Sequence, residues 1–594
     1  MIFRIPRALY GSGMINDTSP DFRVVRLDDL PALFAIYERI QIARFLDQLV
    51  PQHPNWEGAL SFGQVVVGWQ VYILSQSDHR LNHVEDWVAQ RLDVYAACLK
   101  RPVRALDFSD DRLAYVLDKL HEAEIWGKFE TMLNQHLMRV YELQPKQVRL
   151  DSSTISTYAP VNEEGLLRLG HSKDGRPGDA QLKFQLAMLD PLGLPLVTQV
   201  VAGNSADDPL YVPAILQAQA SIGVGGKTYI GDGKMAALAT RALLVASQDY
   251  YLFPLGEKQL SKNARAALIG AALRGAVEIE PIKRERIDPR GSKPTVSEEI
   301  AAGYEVSVPL TAVHQDLEWH WTERRLVIRS QAYARAEAAA LDGRLARAAT
   351  ELDKLVVPRQ GKRRLNKKQA HEAAAEIIAR HGVEGLVAAI VTTKVTSRTV
   401  RAYQDRPAQR RSTTTVLLAV ERHERALKEV KDRMGWRVYA TNHPDFSLRE
   451  AVLAYREQYR IEDGISRLKG RPLGLGPMFL QTESRMVGLL HLLTICLRVL
   501  TLVEFQVRRN LKTEGKTLTG IYAGQKGRQT ARPSAELLLE ALQGIDAVIG
   551  KINGSFVTYL RPLTETQKRI LSLLGLDENL YDKLLPHFQN LAPE

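Results

Sequence analysis

Tyr455, Glu462 and Lys469 stand seven positions apart within the run from Ala454 to Lys469. Seven residues make almost two helical turns, so one helix here would carry an aromatic hydroxyl, a carboxylate and an ammonium on a single face. A carboxylate between two phosphate-seeking groups suits a metal ion beside a nucleic-acid backbone. Two aspartates extend the same chemistry. Asp151 and Asp232 each stand at the C-terminal end of an expected strand, the edge where open α/β sheets gather ligands. If those strands are neighbours, the two carboxylates can share magnesium, with Glu462 entering from the later helix. Three carboxylates are too few to close a cage, which leaves room for water and phosphate oxygens. Two such ions polarise phosphorus, activate water and stabilise the leaving oxygen. Each residue also has a plain reading, since Asp is common in turns at strand ends and a polar heptad is common on a solvated helix. Glu457 and Asp463 rival Glu462, but they sit about 140° and 100° around an ideal helix from it.

The elements that must position these residues follow from hydrophobic periodicity. Residues 25 to 143 read as helices, with apolar spacings of three and four and a long amphipathic stretch from Asp110 to Tyr141. Strands follow at Val148–Asp151, Leu182–Met188 and Pro195–Val201, the last two joined by the turn Asp190-Pro191-Leu192-Gly193. Thr228–Ile230, a helix from Met235 to Ser247 and the strand Tyr250–Phe253 complete a mixed α/β layout. Between about Gly256 and Met434 the character changes to long strands, including Glu318–Trp321, and the alanine-rich helix Ala332–Leu355. A block that long between adjacent strands reads as an inserted domain. The α/β pattern resumes at Trp436–Asn442.

The segment Arg359 to Gln369 holds Arg359, Lys362, Arg363, Arg364, Lys367 and Lys368 and no acid. It suits either a solvated face or phosphate contact. His171–Arg176 reads as a polar loop, Asp207-Asp208 as a second carboxylate pair in a loop, and Lys183 and Lys234 as unranked phosphate contacts. Across 594 residues, 79 Lys and Arg against 68 Asp and Glu give +11 and a pI near 9.4, which favours a polyanionic partner. Cys98 and Cys496 offer no zinc spacing and no disulfide framework, consistent with a reducing cytoplasm. The N-terminus lacks a signal-peptide pattern. The apolar stretch Met486–Phe505 contains His491, Arg498 and Glu504, so it reads as a core helix and no membrane partner is expected.

Asp151, Asp232 and Glu462, with Tyr455, Gln458 and Lys469 around the last, resemble a bacterial insertion-sequence transposase of the DDE class. The resembling subgroup carries Tyr, two residues, Arg, three residues, Glu, six residues, Lys on its catalytic helix. Tyr455, Glu462 and Lys469 match at that spacing, and Gln458 stands where Arg is usual. Arg456 and Arg460 point away from the Glu462 face on an ideal helix and substitute imperfectly. The resemblance covers roughly residues 148 to 505. It implies an RNase H-like catalytic core in an α/β chain, interrupted by a large mixed insertion domain, with helical N- and C-terminal regions. The expected boundaries are 1–145 for end binding, 146–255 and 435–510 for the core, 256–434 for the insertion and 511–594 for the C-terminal region.

The resemblance further implies two magnesium ions per site, with manganese as an alternative, held by Asp151, Asp232 and Glu462. Tyr455, Gln458 and Lys469 would contact the DNA backbone, and Arg363, Arg364, Lys367 and Lys368 would add phosphate contacts. Trp436 lies near the place where some relatives stack a flipped base, one residue out of register, and a core role competes for it. Trp319 and Trp321 are weaker candidates for that stacking role. The implied partners are double-stranded DNA, as terminal inverted repeats and target, and a second copy of the chain on that DNA. The implied location is the nucleoid-associated cytoplasm. An RNase H-like endonuclease without strand transfer and a non-catalytic DNA-binding descendant are the alternatives. A carboxylate-pair glycosidase would predict metal-independent activity and gives no reason for the basic excess.

Overall fold

A computed structural model describes residues 22–286, 296–357, 364–402, 407–525, 527–552 and 555–589. The chain forms two compact units, one of residues 1–231, 247–249 and 458–594, the other of 232–246 and 250–457.

The first unit starts with β1 (Phe22–Arg26) and a helical array: α1 (Leu30–Ile40), α2 (Ile42–Leu49), α3 (Phe62–Gln76), α4 (Val84–Ala89), α5 (Leu92–Leu99), α6 (Asp110–Leu120) and α7 (Ala123–Val140). The amphipathic stretch after Asp110 is thus two helices. His121 Nδ1 bonds the Asp118 carbonyl at 2.5 Å, and Glu122 turns to extended backbone to cap α7. A sheet follows, with β2 (Gln147–Thr157), β3 (Ala180–Asp190), β4 (Leu194–Ala202), helix α8 (Tyr211–Ile222) and β5 (Thr228–Ile230). β2 runs antiparallel to β3 along its whole length, and β3 and β4 form the expected hairpin, with Gly193 at φ 72° in the turn. β5 pairs parallel with β2 only from Gln147↔Thr228 to Arg149↔Ile230.

Asp151 is therefore not at a strand end. It is the fifth residue of an eleven-residue strand, two beyond the last parallel pair. The strand continues because Ser152 to Thr157 keep pairing with β3. All but Ile155 carry hydroxyls, which tolerate a buried strand and hide its length from a pattern based on apolar residues.

The second unit begins at Asp232 and runs through α9 (Leu238–Ala246), β6 (Tyr250–Pro254), α10 (Lys262–Leu273), β7 (Glu280–Arg286), β8 (Val296–His314), β9 (Leu317–Ser330), α11 (Gln331–Leu355), α12 (Lys367–Arg380), β10 (Val387–Val400), β11 (Gln409–Arg422), α13 (Glu424–Asp432), β12 (Trp436–Thr441) and α14 (Leu448–Arg456). β12 pairs antiparallel with both β6 and β9, and β9, β8 and β7 continue outward. The long strands of the 256–434 block thereby extend the same sheet as β6 and β12. Arg241 and Glu323 form a buried ion pair (2.6 Å), and Glu323 also accepts from the Tyr251 hydroxyl (3.0 Å). β10 and β11 form a separate ribbon whose base packs on α11, α12 and α13 through Leu341, Leu345, Val383, Val387 and Leu427.

The chain returns to the first unit with α15 (Tyr459–Lys469), α16 (Glu483–Glu514), α17 (Ala535–Ala541), β13 (Asp546–Ile552), β14 (Ser555–Leu560), α18 (Glu565–Leu574) and α19 (Leu585–Gln589). The C-terminal region is thus helical with one hairpin inside it, and β1 adds to that hairpin as a third strand. Alternation in Ala547, Val548 and Ile549 is short and interrupted by Gly550, so the pattern was weak.

Among the described residues α16 is the one helix apolar and long enough to cross a membrane, and its apolar window is wholly buried in the protein. Its Arg498 pairs with buried Glu130 of α7 (2.5 Å) and donates to the Pro195 carbonyl of β4 (2.9 Å). His491 stacks on Trp126 of α7 with ring centroids 4.0 Å apart, and its Nδ1–H donates to the Leu120 carbonyl (2.8 Å). Burial pushes the His491 imidazole down to about 3. An unfolded histidine takes a proton below about pH 6.5, whereas this one stays neutral. Stability should therefore fall as pH drops from 6.5 toward 3, by about 1.4 kcal/mol per unit from this residue. Urea unfolding at a series of pH values should show that slope reduced by this amount in His491→Gln.

Candidate active site

The start of α15 is fixed by a buried charge cluster. Arg149 of β2 and Asp190 at the end of β3 form an ion pair (3.0 Å) with side chains 1% and 3% exposed. Gln458, the residue before α15, accepts from Arg149 (3.4 Å) and donates to the Leu150 carbonyl (3.4 Å). Arg460 reaches the same Asp190 (3.4 Å) and donates to the Pro191 carbonyl (2.8 Å). At the other end of α15, Lys469 bonds Ser153 Oγ (3.3 Å) and pairs with Asp174. Midway, Gly464 lies on Met188 of β3, so close that an added Cβ would stand 2.7 Å from its methyl carbon.

These attachments locate two carboxylates. Arg149, Asp151 and Ser153 alternate onto one face of β2, and α15 bonds the first through Gln458 and the third through Lys469. Asp151 lies between them in the strand. On α15, Gln458, Glu462 and Lys469 recur at spacings of four and seven, within about 40° of one another around the helix. Glu462 thus shares the helix face that meets Asp151's face of β2. Its carboxylate is exposed and makes no hydrogen bond or ion pair among the described residues. The rival Asp463 points elsewhere, lining a cavity of about 650 Å³ with Tyr459, Arg460, Arg467, Arg508 and Glu536. Asp151 is 23% exposed, with the Lys173 ammonium 4.0 Å from it.

Asp232 follows β5 by two residues, the same offset that separates Asp151 from Arg149 in the paired strand. Its Oδ1 accepts from the Lys234 N–H (3.0 Å), closing a turn. No group of three or more His, Cys, Asp or Glu side chains close enough to hold a metal occurs among the described residues.

The single helix expected from Tyr455 to Lys469 is two helices, with the turn Glu457-Gln458 between them. Tyr455 therefore belongs to α14 in the second unit, its ring 4.7 Å from that of Tyr439. Glu457, as the C-cap of α14, likewise leaves the Glu462 face. The break coincides with the bonds that tie Gln458 to β2, which hold the start of α15 independently of α14. Arg456 is committed to the Ile300 carbonyl (2.9 Å) and Ser330 Oγ (3.1 Å).

The other expected residues are distributed as follows. Trp436 is buried and its indole N–H donates to the Asp432 carbonyl (3.2 Å), which is the core role. Trp321 donates to the Tyr251 hydroxyl (2.9 Å). Lys183 and Asp207 form a mostly buried ion pair (2.7 Å) that also bonds Ser152, so neither is a phosphate or metal contact at the surface. Arg364, Lys367 and Lys368 are exposed at the start of α12, where Asn366 caps the helix. Arg363 lies outside the described residues. The His171–Arg176 loop supplies Lys173 and Asp174 to the site, which no residue pattern ranked. Arg149 and Asp190 were also missed. Strand alternation placed Arg149 on Asp151's face, but nothing in one sequence joins it to a residue 41 positions later.

The model of the family described as "Transposase DDE domain" matches residues 149–499. The chain belongs to the DDE transposases. It is a DNA transposase with an RNase H-like core, and enzymes of this family use a divalent metal. The match specifies no subgroup bearing the Tyr, Arg, Glu and Lys pattern. A second model, a domain of unknown function (DUF4277), matches residues 22–133, which hold α1 to α6 and most of α7. No curated protein matches the chain. A cryo-EM structure of a piggyBac transposase synaptic complex with hairpin DNA matches at 8% identity over 96% of this chain and 87% of that one, with a TM-score of 0.36.

Asp190→Ala should leave Arg149 buried without its carboxylate and cost about 3–5 kcal/mol in urea unfolding. The same substitution should lower DNA cleavage at temperatures where the variant remains folded, because the start of α15 loses its anchor.

Proposed function

We propose that this transposase cleaves DNA at the inverted ends of its own mobile element and joins the freed ends to target DNA, using Asp151, Asp232 and Glu462 as metal-holding carboxylates. The observation that carries the proposal is the attachment of α15 to β2 at Gln458 and Lys469, which sets Glu462 and Asp151 on facing surfaces of one unit. Asp232 enters through its place after the parallel strand β5. Each of the three is a carboxylate and none is fully buried, a donor chemistry that would suit magnesium or manganese and leave positions for water and phosphate. Two bound ions would polarise the phosphate and lower the pKa of an attacking water.

The residues of the chain do the rest. Gln458 and Arg149 hold the start of α15, Lys469 and Asp174 hold its end, and the exposed Glu462 carboxylate remains available between them. In the cleavage step a water oxygen bonds to phosphorus and the 3′-oxygen leaves, taking a proton to give a 3′-hydroxyl and a 5′-phosphate. In the joining step that hydroxyl attacks a target phosphate and a second 3′-oxygen leaves. The inverted ends and target supply double-stranded DNA as the partner, and paired ends call for two copies of the chain. Activity on chromosomal DNA places the protein at the nucleoid in the cytoplasm. Arg364, Lys367 and Lys368 are exposed and add backbone attraction; Tyr455 acts from α14.

Purified protein incubated with DNA bearing the element ends should nick at those ends with magnesium, fail with chelator, and join ends to target DNA. Glu462→Gln should lower cleavage at least a thousandfold while retaining end binding. Cleavage that persists in Glu462→Gln, or in chelator, would overturn the assignment. Cleavage without joining would instead identify an endonuclease.

A further inference from the structure

The ribbon formed by β10 and β11 has no support along its outer half. Its base packs through Val387, Ala389, Leu418 and Val420 against the α11 and α12 clusters. From Thr392 to Thr399 every residue is exposed, as is every residue from Gln409 to Thr414 on the paired strand. At about 3.3 Å per residue, the unsupported part extends over roughly 25 Å. A two-stranded hairpin without a core is marginal in water by itself.

Its charge makes that isolation costlier. Residues 387–420 hold six basic side chains and one acid, Asp405. The register sets Arg398 directly opposite Arg411, with Lys394 on the same face. Like charges directly opposite each other in a ribbon repel. Among the described residues neither arginine has a carboxylate partner. Between and beside them stand Thr396, Thr413 and Thr415, short hydroxyl side chains that allow close approach of a surface. The opposite face is quieter, since Arg410 folds onto Ser397 Oγ (3.1 and 3.3 Å). An exposed, repelling arginine pair on a protruding ribbon is relieved by a polyanion.

We propose that the β10–β11 ribbon docks in the major groove of duplex DNA, with Lys394, Arg398 and Arg411 on the contacting face. The inference rests on the chain's action on DNA and is independent of which carboxylates cleave it. Two strands about 4.8 Å apart fit a groove about 12 Å wide, and arginine is the side chain that reads guanine O6 and N7 there. A-form RNA offers only a deep, narrow major groove, so the occupant is B-form DNA.

The test uses the full chain carrying Glu462→Gln, so that binding is read without cleavage and a failure of the catalytic assignment leaves it intact. Affinity for an element-end duplex and for an unrelated duplex is measured against salt, with and without Arg398→Gln/Arg411→Gln. The slope of log affinity against log salt should fall by about two, because each guanidinium lost from the groove leaves its counterions condensed on the DNA. Arg398→Lys/Arg411→Lys should retain most of the slope. Methylation of guanine N7 should interfere with binding by the parent and no longer do so with the Gln variant. The Gln variant should unfold at the same or a higher temperature, because a repulsion has been removed. A loss on the end duplex alone assigns the ribbon to the ends, and a loss on both assigns it to DNA generally. An unchanged slope on both duplexes overturns the proposal. A reduced slope with N7 interference unchanged overturns the groove placement.

Discussion

The Arg149–Asp190 pair is taken out of water where β2, β3 and the chain entering α15 meet. Removing two charges from solvent is expensive, and the attraction between them repays it only when the remaining donors and acceptors are also used. Here the segment that carries Glu462 uses several of them. Gln458 accepts from the guanidinium, and Arg460 reaches the carboxylate and the adjoining Pro191 carbonyl. The same bonds that satisfy the buried charges fix where α15 begins and how it is turned about its axis. A shift of α15 by one residue would rotate Glu462 by about 100° and leave the cluster unsatisfied. The position of Glu462 is thereby tied to the solvation of a buried ion pair on the neighbouring strands.

A second buried pair works the same way deeper in the unit. Arg498 of α16 meets Glu130 of α7, while Arg498 also donates to β4 and Glu130 accepts from the Thr198 N–H of that strand (3.2 Å). Trp126 and Asn134 of α7 add bonds to the Thr198 and Leu196 carbonyls. The N-terminal helices are therefore joined to the sheet by directional polar contacts in addition to apolar packing. Apolar surfaces can slide by one turn with modest loss, but four polar attachments to one strand cannot. The region matched by the domain of unknown function is thus held in register with β4, an edge of the sheet that also contains β2.

The strands legible in the sequence were those with plain alternation or compact turns, such as the β3–β4 hairpin, β5, β6 and β12. The illegible parts share a cause. β2 continues beyond Asp151 through Ser152, Ser153 and Thr154, whose hydroxyls find partners in Asp207, Lys469 and the Lys173 N–H. Polar residues satisfied by distant segments look like loop in a local reading. The break at Glu457-Gln458 is similar, because no Gly or Pro marks it and the residues on both sides favour helix. It arises from the tertiary bonds of Gln458, which helical propensity does not contain. Asp151, Asp232 and Glu462 stand out in the sequence because the chemistry proposed for them constrains residue type and spacing. Their supports, Arg149, Asp174 and Asp190, are constrained only by the fold.

Gln458 is where that distinction matters most. The catalytic-helix pattern that the sequence resembles has Arg at this position, where this chain has Gln458. The structure locates another cation there, since the Arg149 guanidinium comes to Gln458 from β2. An arginine at 458 would bring a second guanidinium against the first in a place where Asp190 is the nearby buried carboxylate and already serves Arg149 and Arg460. Glutamine is suited to that geometry because it can accept from Arg149 and donate to the Leu150 carbonyl at once, whereas arginine can only donate. The departure from the pattern and the buried arginine on the neighbouring strand are therefore one arrangement. The cation beside the start of α15 is supplied by the strand, and Gln458 supplies the donor that ties the helix to β2.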